Sequence, residues 1–154
     1  MILPMDFENS AIYLMTQLGL ACRSSLEKSM NEVGLHSGQI FILIALWKTD
    51  GQSQIDLVKN LNVAPPTVNK MIKSLSGKNF VESCRCGTDG RIMRVFLTDK
   101  GRQYQSLVVE QWRKLEAQSF INLTETEKLI LFQIFGKLKE NLGKNFATLK
   151  IDVD

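Results

Sequence analysis

From Asp6 to about Met30, apolar residues at Met15, Leu18, Cys22 and Leu26 recur at helical spacing, with Ile12, Leu14 and Leu20 broadening the stripe. Gly34 predicts where this helix stops. The run Ile40 to Trp47, IFILIALW, is apolar throughout. His36-Ser37 before it and Asp50-Gly51 after it favour a buried helix over a strand. Ser53, with Asp56 in the fourth place, opens a short helix carrying Leu57, Val58 and Leu61. Asn62-Val63-Ala64 breaks that stripe. Pro65 and Pro66 then suit the first turn of a new helix, where a missing N–H costs nothing. Within it Val68, Met71, Ile72 and Leu75 form one core face, and Asn79 can take the left-handed position that usually wants glycine.

The pattern changes at Phe80. FVESCRC and RIMRVFL are rich in β-branched and apolar residues and flank Gly87-Thr88-Asp89-Gly90, which predicts a β-hairpin. Thr98 caps a long helix with Tyr104, Leu107, Val108, Trp112 and Leu115 on one side. Thr124-Glu125-Thr126-Glu127 is a capping box for a last helix. Its stripe of Leu131, Phe135, Leu138, Leu142, Phe146 and Leu149 is widened by Leu129, Ile130, Phe132 and Ile134 beyond what one neighbour could cover, which predicts a homodimer. The expected fold is therefore mainly α with a small β-hairpin wing: a winged helix-turn-helix flanked by long dimerisation helices. One domain over residues 1–154 is expected, with a winged-helix lobe at 36–101 and a helical dimerisation lobe made of 1–35 and 102–154.

Charge sharpens this picture. Residues 53–102 hold nine basic residues against four acids, a net +5, so a total of +3 leaves −2 for the remainder. A basic middle between acidic flanks suits a polyanion-binding module on a neutral scaffold. Met1 to Ser10 has Asp6 and Glu8 and no basic stretch, unlike a secretory signal, and eight apolar residues fall short of the roughly 20 a membrane helix needs. A cytoplasmic protein without membrane contact is expected. The three cysteines, Cys22, Cys84 and Cys86, are an odd number and argue for reduced thiols over a disulfide framework.

The helix starting at Pro65 turns Pro66, Lys70, Lys73 and Gly77 away from its core face, flanked by Thr67, Asn69 and Ser74. This face is basic, capable of hydrogen bonding and free of acids. The major groove accepts one helix, and Lys, Asn and Thr can read base edges or phosphates there. The hairpin adds Arg85, Arg91 and Arg94, and a narrow minor groove attracts a projecting arginine. Asp89, across the tip from Arg91, is placed to hold that side chain by a charge-assisted bond.

These segments together resemble the MarR family. GQSQIDLVKNLNVAPPTVNKMIKSLSGKNFVES followed by TDGRIMRVFLTDKG is similar to that family's helix-turn-helix, its wing with an Asp-x-Arg tip, and the Leu-Thr-x-x-Gly start of its dimerisation helix, here Leu97 to Gly101. LHSGQIFILIAL matches the family's buried second helix. Three positions depart from the family pattern: Asn79 stands for a glycine, Ser83 for the Arg of Val-Glu-Arg, and Asp-Gly-Arg for Asp-Arg-Arg.

The resemblance implies a sequence-specific regulator that binds pseudo-palindromic double-stranded DNA as a homodimer, a repressor released by a small-molecule effector. It also implies an anionic or phenolic effector between the first two helices, the long fifth helix and the DNA-binding lobe. Met15, Cys22, His36, Trp47 and Trp112 are candidate wall residues. For Cys22, which lies on the apolar stripe, the residues themselves favour a buried, inert thiol over a redox sensor. Cys84 and Cys86 with one distant cysteine and one histidine make a poor zinc set, so no metal and no cofactor is expected. Two rivals remain: a winged helix used for protein–protein contact, and a cysteine-based redox regulator. No nucleophile–base or paired-carboxylate constellation points to an enzyme.

Overall fold

A computed structural model describes residues 6–85 and 92–146, with side chains to residue 143. It divides into two compact units, Met1–Leu115 and Glu116–Asp154. In the first unit, α1 (Ala11–Asn31) and α2 (Ser37–Lys48) precede α3 (Gln54–Leu61) and α4 (Pro65–Gly77). The strands are β1 (Gln52–Ser53), β2 (Val81–Arg85) and β3 (Met93–Leu97), antiparallel in the order β1-β3-β2. The helices α5 (Asp99–Gln103) and α6 (Gln105–Ser119) follow, and α7 (Glu125–Phe146) forms most of the second unit.

Most of the predicted punctuation is present. Ser10 and Thr98 cap α1 and α5, and Thr124 and Glu127 bond reciprocally ahead of α7. Asn79 is left-handed at φ 60°. The core of the first unit is built on α2, where Ile40, Ile42, Leu43 and Leu46 are buried, against Leu57, Val68, Leu75, Val95 and Val108.

Three expectations need correction. The sheet has a third strand: Gln52 and Ser53 pair with Val95 and Arg94 of β3. The single long helix expected after Thr98 breaks at Tyr104, whose hydroxyl donates to the Val33 carbonyl (3.0 Å) and whose ring meets Phe80 edge-on at 4.8 Å. These two contacts hold the Tyr104 side chain at the junction of α5 and α6. Finally, burial on α1 is confined to its C-terminal half, at Leu26 and Met30. Leu18 and Cys22 are exposed, so the Cys22 thiol is not a buried core group of this chain.

Gly101 shows why the Leu-Thr-x-x-Gly sequence needs its glycine. A Cβ there would run into the Phe80 carbonyl oxygen, so β2 and α5 approach only because that position has no side chain. Among the described residues, no helix is long and apolar enough to cross a membrane.

Candidate nucleic-acid interface

The site is assembled around α4. The Ser53 hydroxyl accepts the Asp56 N–H (3.1 Å) to start α3, and Asn62 ends it in the left-handed region at φ 51°. Ser53's hydrogen bond also holds the Asp56 carboxyl below its usual pKa, with Lys59 and Arg94 adding positive charge. After two residues Pro65 and Pro66 begin α4, which buries Val68, Ile72 and Leu75. The opposite side leaves Pro66, Thr67, Asn69, Lys70 and Lys73 exposed. Between Pro65 and Gly77 there is no acid. Among the described residues, neither Lys70 nor Lys73 has a hydrogen-bond or ion-pair partner, so both ammonium groups are available to an anion.

The wing is only partly placed. Arg85 is exposed at the end of β2, opposite Met93. Arg94 is half-buried, sits opposite Cys84 and donates Nη1 to the Gly51 carbonyl (2.9 Å), which ties it to the turn before β1. The predicted tip residues Asp89, Gly90 and Arg91, together with Cys86, lie outside the described residues.

Other cations of the basic middle brace the scaffold. Lys78 Nζ donates to the Gly34 carbonyl (2.9 Å), and Lys100 Nζ to the Lys78 carbonyl (2.8 Å) while lying 4.3 Å over the Phe80 ring. Arg102 pairs with Asp50 at 2.8 Å.

The five residues named as effector walls are not brought together. Trp47 Nε1 donates to the Gly101 carbonyl (3.0 Å), and Trp112 meets Phe41 edge-on at 6.4 Å. Met15 is half-buried on α1 and Cys22 exposed. Of the five, His36 lines a cavity of about 700 Å³ between α1, the start of α2 and α4. Its walls include Arg23, Glu27 and Lys28 of α1, Gln39 of α2, and Lys70, Met71 and Ser74 of α4. Sequence reasoning missed the α1 and α2 members. Their only signal was the spacing of Arg23 and Glu27, four apart on one helix face.

Within this cavity wall Glu27 clasps the beginning of α2. One carboxylate oxygen accepts the Ser37 N–H (2.8 Å) and the other lies 2.8 Å from His36 Nδ1. The Ser37 hydrogen bonds, then that of His36, draw the Glu27 pKa from the ordinary 4.5 to about 2, with partial burial opposing them.

Of the predicted dimerisation residues on α7, Leu131 and Leu138 are half-buried and Phe135 and Leu142 exposed; the Phe146 side chain lies outside the described set.

The MarR family model matches residues 35–93, which span α2 through the start of β3. The HTH-type transcriptional repressor MdtR of Bacillus subtilis (strain 168) is 27% identical over 138 residues, covering 85% of this chain and 89% of that protein. A structure from Listeria monocytogenes, assigned to the MarR family and complexed with 26mer DNA, superposes with a TM-score of 0.83 at 22% identity, covering 95% of this chain and 97% of that one. BpsR of Bordetella bronchiseptica, whose DNA binding is regulated by 6-hydroxynicotinic acid, gives a TM-score of 0.81 at 20% identity over 88% of this chain and 97% of that one. With the helix-turn-helix, the three-stranded wing sheet and the acid-free α4 already in place, these matches place a MarR-family DNA-binding winged helix at residues 35–93, in a chain similar over most of its length to HTH-type transcriptional regulators.

Proposed function

We propose that this protein is a sequence-specific repressor that binds a pseudo-palindromic duplex as a homodimer and is released by a small anionic or phenolic effector. The observation that carries the reading is the two-sided character of α4. Val68, Ile72 and Leu75 hold it in the core, while Pro66, Thr67, Asn69, Lys70 and Lys73 stand exposed on a helix without acids. Such a helix suits the major groove, with Lys, Asn and Thr as readers of bases and phosphates. Arg85 and the tip residues Asp89 and Arg91 would supply the minor-groove contact, and Arg94 would set the base of the wing.

Self-association is supported by apolar surface that the described residues leave open. On α1 it comprises Ile12, Leu14, Leu18 and Leu20; on α7 it comprises Leu129, Ile130, Phe132 and Phe135. Two copies would present two α4 helices to half-sites one helical turn, ~34–36 Å, apart. Release is supported by the cavity, where Arg23, Lys28 and Lys70 outnumber Glu27. MdtR is named a repressor, and BpsR responds to an aromatic acid, in keeping with both halves of the proposal.

Selecting bound duplexes from a random DNA pool tests the reading directly. Enrichment of an inverted repeat with half-sites one turn apart is expected. Failure to enrich any sequence would reject a DNA-reading role for α4.

A further inference from the structure

The α1 helix and α4 are joined by a run of polar contacts through the first turn of α2. Glu27 of α1 accepts the Ser37 N–H and meets His36 Nδ1. The His36 N–H in turn donates to Gln39 Oε1 (3.0 Å), and Gln39 Nε2 donates to Ser74 Oγ on α4 (2.7 Å). Gln39 is 3% exposed, so both ends of its carboxamide are committed inside the fold. The same turn touches α4 closely: a Cβ on Gly38 would fall 2.5 Å from Met71 Cε. The beginning of α2 is thus the bearing surface on which α4 rests, and among the described residues Gln39 supplies the polar link across it. An apolar contact there would hold α4 in place but tolerate rotation, whereas a hydrogen bond of fixed length and direction does not.

We infer that Gln39 is a positioning residue for the DNA-reading helix: its bond to Ser74, anchored through His36 to Glu27, sets the rotation of α4 and with it the choice among DNA sequences. The inference rests on the proposed DNA-reading role of α4. Ser74 lies one turn from Lys70 and beside Lys73, so a rotation of α4 at Ser74 moves both cations. Phosphate contacts tolerate such a shift, because lysine side chains are long and the phosphate array is uniform; base contacts do not. The relay therefore governs the ratio of specific to non-specific affinity and leaves non-specific affinity alone.

The test uses the full chain with two duplex probes: the one most enriched by the wild type from a random pool, and a scrambled duplex of the same length and composition. Gln39→Met keeps the side-chain length and removes both hydrogen bonds. Ser74→Ala removes the partner at an exposed position where folding is secure. Each is expected to lower the affinity ratio about ten-fold. Affinity for the scrambled duplex should stay within about two-fold. The double variant should lose no more than either single one, and Ser74→Thr, which keeps the hydroxyl, should restore the ratio. An unchanged ratio, equal losses on both probes, or additive losses overturn the inference. If the wild type discriminates between no duplexes, the DNA-reading role fails, and hydrogen exchange decides the relay separately. Faster exchange in α4, but not α6, of both single variants supports it; unchanged α4 exchange rejects it.

Discussion

The Glu27 clasp sets a measurable acid limit on stability. The perturbation is Glu27→Gln, which retains an oxygen to accept the Ser37 N–H and mimics the protonated carboxyl. A pKa drawn from 4.5 to about 2 corresponds to ~3 kcal/mol of preferential stabilisation of the ionised folded state. The Glu27 side chain is 36% exposed and its His36 partner 68%, so solvent screening reduces this to roughly 1 kcal/mol. Because the folded pKa lies below the unfolded one, this contribution is complete above pH 4.5 and disappears as pH falls towards 2. The assay is urea unfolding of both proteins at equal protomer concentration across that range, which keeps any effect of the proposed self-association the same for both. The wild type should be the more stable by about 1 kcal/mol at pH 7, and the two curves should converge at the acid end. A difference that stays constant down to pH 2.5, or no difference at pH 7, would refute the clasp as an ionic contact.

Gly101→Ala should destabilise the folded chain by roughly 2 kcal/mol or more, because the added methyl meets the Phe80 carbonyl, which cannot move without distorting β2. Thermal unfolding beside the wild type checks this, and an unshifted transition would remove the steric argument. Leu142→Glu, on the open apolar face of α7, should give insoluble or unfolded protein instead of tidy monomers, as expected where the monomer is not stable alone. Sedimentation showing a folded wild-type monomer at micromolar concentration would contradict it.

Patterns that act within one element were legible in the sequence; those that depend on a distant partner were not. Val68, Ile72 and Leu75 marked the buried face of α4 because helical periodicity is local, and Ser53, Thr98 and Thr124 marked helix starts because capping is a contact across three residues. The two-residue β1 has no period to detect, and its strand character comes from β3, more than forty residues away. Tyr104 carries no glycine or proline signal and sits in ordinary helical space at φ −72°, and its partners Val33 and Phe80 lie far from it in the sequence. Periodicity also names a face without naming what covers it, which is why Leu18 and Cys22 read as core yet stand exposed in this chain. Arg23, Glu27 and Lys28 look like ordinary surface charges until the start of α2 and α4 close the cavity around them.

The net charge of the middle segment overstates its attraction for DNA, and this leads to a contrast between two kinds of lysine. Counterion release counts cations that reach phosphates, and Lys78, Arg94, Lys100 and Arg102 are already bound to carbonyls or to Asp50. Lys70 and Lys73 stand exposed on α4. Lys70→Ala and Lys73→Ala should therefore each weaken duplex binding and reduce the slope of log K against log salt by about one unit per protomer, with thermal stability unchanged. Lys100→Ala removes the same formal charge but loses the Lys78 carbonyl bond and the contact with the Phe80 ring. It should lower stability by about 1 kcal/mol and leave the salt slope near the wild-type value. Measuring both quantities for the three variants separates a reader from a brace. If Lys100→Ala shifts the slope as much as Lys70→Ala does, DNA binding follows total charge and not the exposed face of α4.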